Sequence, residues 1–539
     1  MRKFWKDGDA FVWLTGGALA FALLMVTGLI LLILTNGLGF FWPAEVCTFG
    51  LKDGRTVIGQ ITGREFIPQP DAPAGTPLRE RIQVRQGNRD LYGVDFLWID
   101  EDAIISREAP ADLVVIERRE WGNFYGRVGG VRDVNGATDL AGEAAWQGLL
   151  ARMPGVHRLN DEILDLERNQ IGRINTGQEE IRLRLKKLAL QGVTTGAGVE
   201  ALQDELAALQ ADYAGKREAL RTLRTKTKAV VVLQAAGGKQ LELPLADVVR
   251  VYRPNGMSTA RKIGVYAGKL WEFLADDPRE SNTEGGVFPA IFGTVMMVMI
   301  MSIIVTPLGV ISAFYLREYA KQGPLVSAVR IAVNNLAGVP SIVFGVFGVG
   351  FFIYFLGGHI DRIFYPEALP TPTFGTGGIL WASLTLSLLT VPVVIVATEE
   401  GLAAIPGGAR EASLALGATK FETTWRVVLP AVMPAILTGL ILAMARAAGE
   451  VAPLMITGVV KLAPTLPLDG TWPFLHLDRK FMHLGFHIYD VGFQSPNVDA
   501  ARPMVFMTTI LLLVIVLVLN LAAIMLRGKL RKKYTVTAL

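Results

Sequence analysis

Six long apolar segments constrain this chain more than any other feature of its sequence. A helix needs roughly twenty residues to cross about 30 Å of hydrocarbon. The segments that reach this length are residues 11–34, 288–314, 340–356, 379–397, 436–456 and 504–526. The first continues too far for a signal peptide and no small-residue cleavage site follows it, so we interpret it as a retained anchor. The sequence therefore predicts an α-helical membrane protein with six transmembrane helices.

The composition indicates that a water-exposed region accompanies these helices. Hydrophobic residues make up 51% of the 539 residues and the mean hydropathy is +0.38, yet 19% of the residues are charged. A membrane bundle joined to a more polar region accounts for both properties. The net charge of +4 is small and fits basic loops on one side of a membrane better than nucleic-acid binding.

Cysteine and histidine usage excludes two kinds of site. Cys47 is the only cysteine, so an intramolecular disulfide and a cysteine metal cluster are both excluded. His476, His483 and His487 form a loose group without metal-site spacing, and we interpret them as loop residues. We expect neither a metal site nor a catalytic residue in this chain.

Basic residues at the ends of the apolar segments predict the orientation. The residues that flank the first and last segments are Arg2, Lys3, Lys6, Arg527, Lys529, Arg531, Lys532 and Lys533. Because lysine and arginine favour the cytoplasmic side, both termini are predicted to be cytoplasmic, which six spans satisfy. The region between the first two segments then lies outside the cell membrane, and residues 399–433 lie inside.

Roughly 240 residues of mixed composition separate the first two segments and form an insert. Alternating apolar residues on both sides of Lys52-Asp53-Gly54 predict a β-hairpin, because Asp-Gly supports the positive φ of a tight turn. Leucines and isoleucines at near-heptad spacing on both sides of residues 192–198 predict an antiparallel helical hairpin. This hairpin is either a spacer or a docking arm for a partner.

We therefore divide the chain into four parts. Residues 1–43 form a cytoplasmic tail and the first transmembrane helix, and residues 44–157 with 227–283 form a β-rich periplasmic domain. Residues 158–226 form a coiled-coil-like hairpin, and residues 284–539 form a core with five transmembrane helices.

One polar loop combines small, flexible and rigid residues at fixed spacing. Glu411-Ala412-Ser413 is followed by Gly417, Val427 and Leu429-Pro430. Ala412 and Ala415 permit the close approach of another surface on a short helix over residues 409–416. Gly417 suits the turn that ends this helix, and Pro430 suits the entry to a new helix after a second short one. An amphipathic helix on the lipid surface is the alternative.

This spacing resembles the EAA loop of type I ABC-importer permeases, with Ser413 and Val427 as conservative departures. The resemblance implies a type I permease core and contact with a separate ATPase through Arg410, Glu411, Ala412, Ala415, Gly417, Leu429 and Pro430. The sequence contains no Walker A pattern. We therefore expect no enzymatic activity and no cofactor bound by this chain, with ATP and magnesium used by the partner ATPase.

Two further segments indicate which group of these permeases the chain resembles. Residues 336–345 and 445–454 are similar to segments of phosphate permeases of the PstA type, in the branch with an enlarged insert after the first helix. The resemblance implies an inner-membrane phosphate importer. Its partners would be a homologous PstC-type permease, two PstB-type ATPase subunits, a periplasmic PstS-type phosphate-binding protein and membrane lipids, without nucleic acid. There are two alternatives. The chain is a permease for another oxyanion such as sulfate or molybdate, or it is a membrane scaffold or sensor that works through the insert.

The fifth apolar segment contains the pair of charges that suits an anion path. Arg446 and Glu450 are four residues apart, on one face if the helix continues. A charge within a bilayer normally faces water or a partner, and arginine offers bidentate donors to phosphate. We expect Arg446 and Glu450 to line the substrate pathway; a structural ion pair is the alternative. Phosphate permeases often have an arginine before the Thr398-Glu399 pair, and here Ala397 takes that place.

The connection between the last two segments is long. Residues 461–502 include Trp472, Phe474 and Tyr489. This loop is predicted either to dock a soluble binding protein or to place aromatic side chains as interfacial anchors.

Overall fold

The computed structural model describes residues 9–67, 79–132, 141–226, 228–495 and 498–535. The chain forms two compact units, Phe41–Gly286 and the combination of Met1–Phe40 with Val287–Leu539. The second of these, called the span unit below, contains the apolar segments. The first, called the insert, contains the β-strands. The division into four parts predicted from the sequence has boundaries that differ from those of these two units, and it stays a prediction.

Six helices in the described residues are long and apolar enough to cross a membrane, which confirms the predicted number. These spans, numbered one to six in chain order, are Phe11–Phe41, Phe288–Tyr319, Ser341–Phe364, Ile379–Ala404, Lys420–Gly449 and Val498–Lys529. The largest difference from the sequence prediction concerns span five, which begins at Lys420 instead of residue 436 and ends at Gly449 instead of residue 456.

Spans two, four and five form the apolar core of the span unit. Buried hydroxyl groups in this core bond within their own helix. Ser387, Thr390 and Thr398 of span four each donate to the carbonyl oxygen four residues earlier, at 2.7–2.8 Å. Each hydroxyl therefore has a partner within its own helix, and the Ser387 hydroxyl also lies 3.3 Å from the Met301 carbonyl oxygen of span two.

Shorter helices complete the span unit. Helix Pro324–Leu336 lies between spans two and three, where the apolar spacing around Leu325 predicts an interfacial helix. Helices Ala452–Thr457 and Leu484–Tyr489 lie between spans five and six. The second of these is tied to span two, because the Leu484 backbone N–H donates to Thr294 Oγ1 at 2.9 Å.

The insert contains two five-stranded antiparallel sheets. The first has the order β4-β3-β2-β1-β5 and the second the order β10-β6-β7-β8-β9. Their strands are β1 Cys47–Leu51, β2 Thr56–Phe66, β3 Glu80–Arg85, β4 Phe96–Asp100, β5 Ile104–Glu108, β6 Val114–Arg118, β7 Asn123–Arg132, β8 Val230–Gln234, β9 Gln240–Pro244 and β10 Val248–Tyr252. The predicted β1–β2 hairpin is confirmed, and Gly54 in its turn has a φ of 81°.

Three helices form the arm of the insert. Helices Gly142–Leu164 and Gly172–Leu190 are joined by a π-helical turn, and helix Ala197–Lys226 returns beside them. An ion pair of 2.5 Å between Arg224 and Glu167 joins the returning helix to the π-helical turn. The first helix begins at Gly142, before the predicted hairpin boundary at residue 158. Its early turns are helical because Ala145, Leu149 and Met153 are buried in the apolar core of the second sheet.

Helix Thr259–Ala275 of the insert packs on the second sheet through charged side chains. The Glu117 carboxylate on β6 accepts from Lys269 at 2.5 Å and from Arg250 at 3.0 Å. Arg250 and Arg279 both pair with Glu272 of the helix. Burial alone would raise the pKa of Glu117, but the charges of Lys269 and Arg250 outweigh it and hold the pKa below its usual value.

Candidate functional site

The loop before span five begins with a short helix that ends at a left-handed glycine. The helix covers Gly407–Ala415. The Gly417 N–H bonds to the Leu414 carbonyl at 3.0 Å and the Ala418 N–H bonds to the Ser413 carbonyl at 3.2 Å. Gly417 has a φ of 86°, which strains residues with a side chain. The predicted helix and its glycine stop therefore both occur in the structure.

The second half of the loop is continuous with span five. Thr419 and Glu422 form a reciprocal capping box at the start of helix Lys420–Thr423. A π-helical turn over Thr424–Val428 then leads directly into helix Leu429–Gly449. Pro430 is the second residue of helix Leu429–Gly449, as expected for the entry to a helix, although the π-helical turn continues into this helix without a break. The π turn shifts the hydrogen bonds just before Pro430, so the proline is accommodated where its N–H is missing.

The loop exposes large apolar side chains beside small and charged ones. Glu411, Ala412 and Ala415 are exposed, and Leu416 is 90% exposed. Phe421 and Trp425 are also exposed, and their rings stack at 6.2 Å. Large exposed apolar side chains beside small ones are typical of a surface that another protein covers.

Arg410 differs from its neighbours because its side chain turns back into the span unit. It donates to the carbonyl oxygens of Leu402 and Ile405 at the end of span four, at 2.8 and 3.1 Å. It also pairs with Glu318 near the end of span two, at 2.9 Å. These three contacts, called the Arg410 clamp below, join the loop to spans two and four. The sequence pattern had marked Arg410 but gave no signal for Glu318.

A second ion pair lies beside the clamp. Arg330 of helix Pro324–Leu336 donates to Glu399 of span four at 3.1 Å and to the Leu316 carbonyl of span two at 3.3 Å. Glu399 belongs to the Thr398-Glu399 pair that lacks a preceding arginine in the sequence. In this structure an arginine from another helix pairs with its carboxylate.

The predicted pathway pair is present, but only one member is helical. Arg446 lies in the last turn of span five, and Glu450 follows the helix end in extended conformation. Their side chains still meet, with Arg446 Nε 3.5 Å from Glu450 Oε1, and both are partly exposed. The expectation that the helix continues through Glu450 is therefore wrong. Gly449 and Pro453 supplied the missed signal, because glycine followed by proline commonly marks a helix end.

The connection between spans five and six contains a partly exposed carboxylate with several partners and two buried imidazoles. Asp469 accepts from the Thr471 N–H at 2.9 Å and from His476 at 3.0 Å, and it also pairs with Arg479. These bonds hold the turn that presents Trp472 and Phe474, whose side chains are exposed.

His483 and His487 lie in the interior of the span unit and not in an open loop, so the expectation for these two residues is wrong. Burial lowers the pKa of His483 to about 3 and that of His487 to about 4. Among the residues that the structure describes, no group of three potential ligands could hold a metal ion.

The six spans define a multi-span membrane protein, and the helical loop before span five is uncovered in it. The family model for the binding-protein-dependent transport system inner membrane component matches residues 305–532, which include this loop. The probable ABC transporter permease protein YqgI of Bacillus subtilis is 31% identical over 270 residues, covering 49% of this chain and 85% of that protein. The chain therefore belongs to the family of ABC transporter permeases.

Phosphate permeases are among its relatives. The phosphate transport system permease protein PstA 1 of Mycobacterium tuberculosis (strain CDC 1551 / Oshkosh) is 38% identical over 172 residues. This match covers 32% of the present chain and 51% of the mycobacterial protein, so it spans about half the length of that relative. A solved structure of the MetNI methionine ABC transporter aligns with 51% of this chain and 99% of its own at 18% identity, with a TM-score of 0.33 that is too low to support an inference.

Proposed function

We propose that this chain is the permease subunit of an ATP-driven importer of inorganic phosphate. The observation that carries this proposal is the uncovered loop over residues 407–430. Its second half, from Lys420 onward, continues into span five without a break. The similarity to PstA-type permeases supports phosphate as the substrate. The proposed complex contains a homologous PstC-type permease, two PstB-type ATPase subunits and a PstS-type binding protein.

The loop suits the transmission of motion from an ATPase. Helix Gly407–Ala415 presents Ala412 and Ala415, so a partner surface can approach its backbone closely. A displacement of this helix would pass to span five through the capped helix at Lys420 and to spans two and four through the Arg410 clamp. The loop residues that we propose to take part in this transmission also include Glu411, Gly417, Leu429 and Pro430. The partner ATPase binds and uses ATP and magnesium. The loop lies on the cytoplasmic side, together with both termini of the chain.

Arg446 is the proposed anion contact in the transmembrane path. Its side chain is partly exposed near the end of span five, although the surrounding helix is apolar. Glu450 holds the guanidinium in place and competes with the passing anion for it. Weak and few contacts favour transport, because an ion must leave as readily as it enters. The turn with Trp472 and Phe474 is proposed to dock the periplasmic binding protein.

Uptake of radiolabelled phosphate tests this proposal. The complete complex, reconstituted in proteoliposomes with ATP inside the compartment that represents the cytoplasm, is expected to accumulate phosphate. Unlabelled phosphate should compete, and sulfate or molybdate should not. Arg446→Ala should reduce uptake by at least about tenfold if it removes one charge-assisted contact of 1.5–3 kcal/mol. Arg362→Ala, at an exposed arginine of span three, should leave uptake unchanged.

Two results would contradict the proposal. Equal competition by sulfate or molybdate would assign the transporter to another oxyanion. Unchanged phosphate uptake by Arg446→Ala would mean that Arg446 does not contact the anion and forms only a structural ion pair at a helix end. Recovery of the intact complex by affinity purification is the control for assembly of each variant.

A further inference from the structure

Helix Thr259–Ala275 of the insert has its charged and apolar faces reversed relative to an ordinary surface helix. The side chains of Lys269 and Glu272 point into the insert and are largely buried in ion pairs. The residues that the structure leaves exposed on this helix are Thr259, Ala260, Arg261, Ile263, Gly264, Ala267, Gly268, Trp271 and Ala275. A soluble domain normally places these two faces the other way round.

The exposed face is apolar and open. Trp271 is 71% exposed and Ile263 is 55% exposed. No atom lies within 4 Å of the position that a Cβ would take on Gly264 or Gly268, so the described part of the chain does not cover this face. Across residues 259–275, all of which the structure describes, Arg261 is the one charged residue in the exposed class.

Aromatic contacts connect this helix to the end of span one. The ring of Tyr266 lies 6.2 Å from that of Phe41 and 6.2 Å from that of Trp42. Phe273 packs against Phe41 at 5.5 Å. Phe41 is the last residue of span one and Trp42 follows it directly. The helix therefore contacts the residues at the end of a long apolar helix, and Trp42 is itself partly exposed.

We infer that the exposed face of helix Thr259–Ala275 lies on the lipid surface and anchors the insert to the membrane. Tryptophan and tyrosine favour the boundary between headgroups and acyl chains, where one end of the ring is apolar and the other is hydrated. An amphipathic helix in this position buries its apolar face roughly 5–10 Å into the boundary region. The isolated cation Arg261 suits the phosphate groups of lipids at the start of the helix. The inference does not depend on which ion the permease transports.

Site-directed spin labelling of the complete complex tests the inference. Ile263→Cys and Trp271→Cys each provide one labelling site, and the unsubstituted chain reports the background from Cys47, which is buried. The complex is placed in nanodiscs of phosphatidylethanolamine and phosphatidylglycerol. Collision rates with oxygen, which concentrates in lipid, are then compared with those of the water-soluble nickel ethylenediaminediacetate.

Both labels should collide with oxygen severalfold more often than with the nickel complex. Ile105→Cys on β5 is the matched control, because Ile105 is an equally exposed apolar residue at 70% on another part of the insert. Its label should show the opposite preference. Ala267→Cys, between the two test positions on the same face, replaces either variant that fails to assemble.

Two patterns would overturn the inference. If the labels at residues 263 and 271 favour the nickel complex as strongly as the label at residue 105, then the face is in water. If both reagents are excluded at residues 263 and 271, then a protein surface covers the face, and the homologous permease becomes its partner.

Discussion

The span unit and the insert both contain buried polar groups, but they satisfy them in different ways. In span four, hydroxyl groups such as those of Thr385 and Thr398 bond to carbonyl oxygens of their own helix. In the insert, Glu117 depends on Arg250 and Lys269, which are distant in sequence. Local bonds survive when helices move past one another, whereas long-range ion pairs hold elements in one arrangement.

The difference suits the two units to different tasks. A permease that alternates access must let its spans shift without breaking buried bonds. Two long-range ion pairs of the span unit join spans two and four to the elements beside them: Arg410 with Glu318 and Arg330 with Glu399. We therefore expect ion pairs in the insert to control stability and the Arg410 clamp to control the coupling of transport to ATP hydrolysis.

Glu117→Ala should have the largest effect on stability. Removal of one partner of a buried ion pair costs about 3–5 kcal/mol, because Lys269 loses its carboxylate partner Glu117 and Arg250 retains only its pair with Glu272. Hydrogen exchange of the full-length protein in increasing denaturant should show a loss of protection in β6, β10 and helix Thr259–Ala275. The spans should keep their protection.

Glu242→Ala is the matched control for this prediction. Glu242 pairs with Arg132 at 3.3 Å in the same sheet, but both side chains are about half exposed. Such a pair contributes about 0–1 kcal/mol. Equal losses of protection in the two variants would mean that burial does not determine the strength of ion pairs in the insert.

Substitutions in the Arg410 clamp should have a smaller effect on stability and a specific effect on coupling. Arg410→Ala and Glu318→Ala should each lower phosphate uptake per ATP hydrolysed, and the double variant should lose little more than either single one. Contacting residues typically show interaction energies of about 0.5–3 kcal/mol in such a cycle. The measurement compares ATP hydrolysis and uptake in the same proteoliposomes.

The neighbouring pair Arg330 and Glu399 provides the control cycle, since it joins helix Pro324–Leu336 to span four without contacting the loop. Strictly additive losses for Arg410 and Glu318 would show that the clamp does not act as a unit. A larger change in coupling for the control cycle than for the clamp would place the transmission outside the loop.

The sequence predicted features that depend on local chemistry. Apolar length located all six spans, and the Asp53-Gly54 pair located the first hairpin of the insert. Gly417 was predicted at a helix end because glycine adopts positive φ without strain. Strands β3, β4, β5 and β7 were not predicted, since their pairing depends on neighbours in the sheet more than on their own alternation.

The sequence did not predict features that depend on partners distant in the chain, or the start of a helix where charged residues interrupt an apolar run. Lys420, Glu422 and Arg426 interrupt the apolar run, yet the capping box at Thr419 starts the helix of span five there. Glu318 lies near the end of span two, far in sequence from Arg410, and no local pattern connects them. Burial of His483 and His487 likewise results from packing against spans two and six.

The most direct test of the account is the ratio of phosphate transported to ATP hydrolysed in Gly417→Val. A β-branched residue at a φ of 86° strains the backbone by about 1–2 kcal/mol and should displace the turn between the two loop helices. Gly358→Val is the control, because Gly358 lies in a helix outside the loop and has open space around its Cβ position.

The account predicts that Gly417→Val assembles and hydrolyses ATP but transports little phosphate, whereas Gly358→Val keeps the ratio of the unsubstituted protein. An unchanged ratio in an assembled Gly417→Val complex would contradict the central claim that this loop couples the permease to its ATPase.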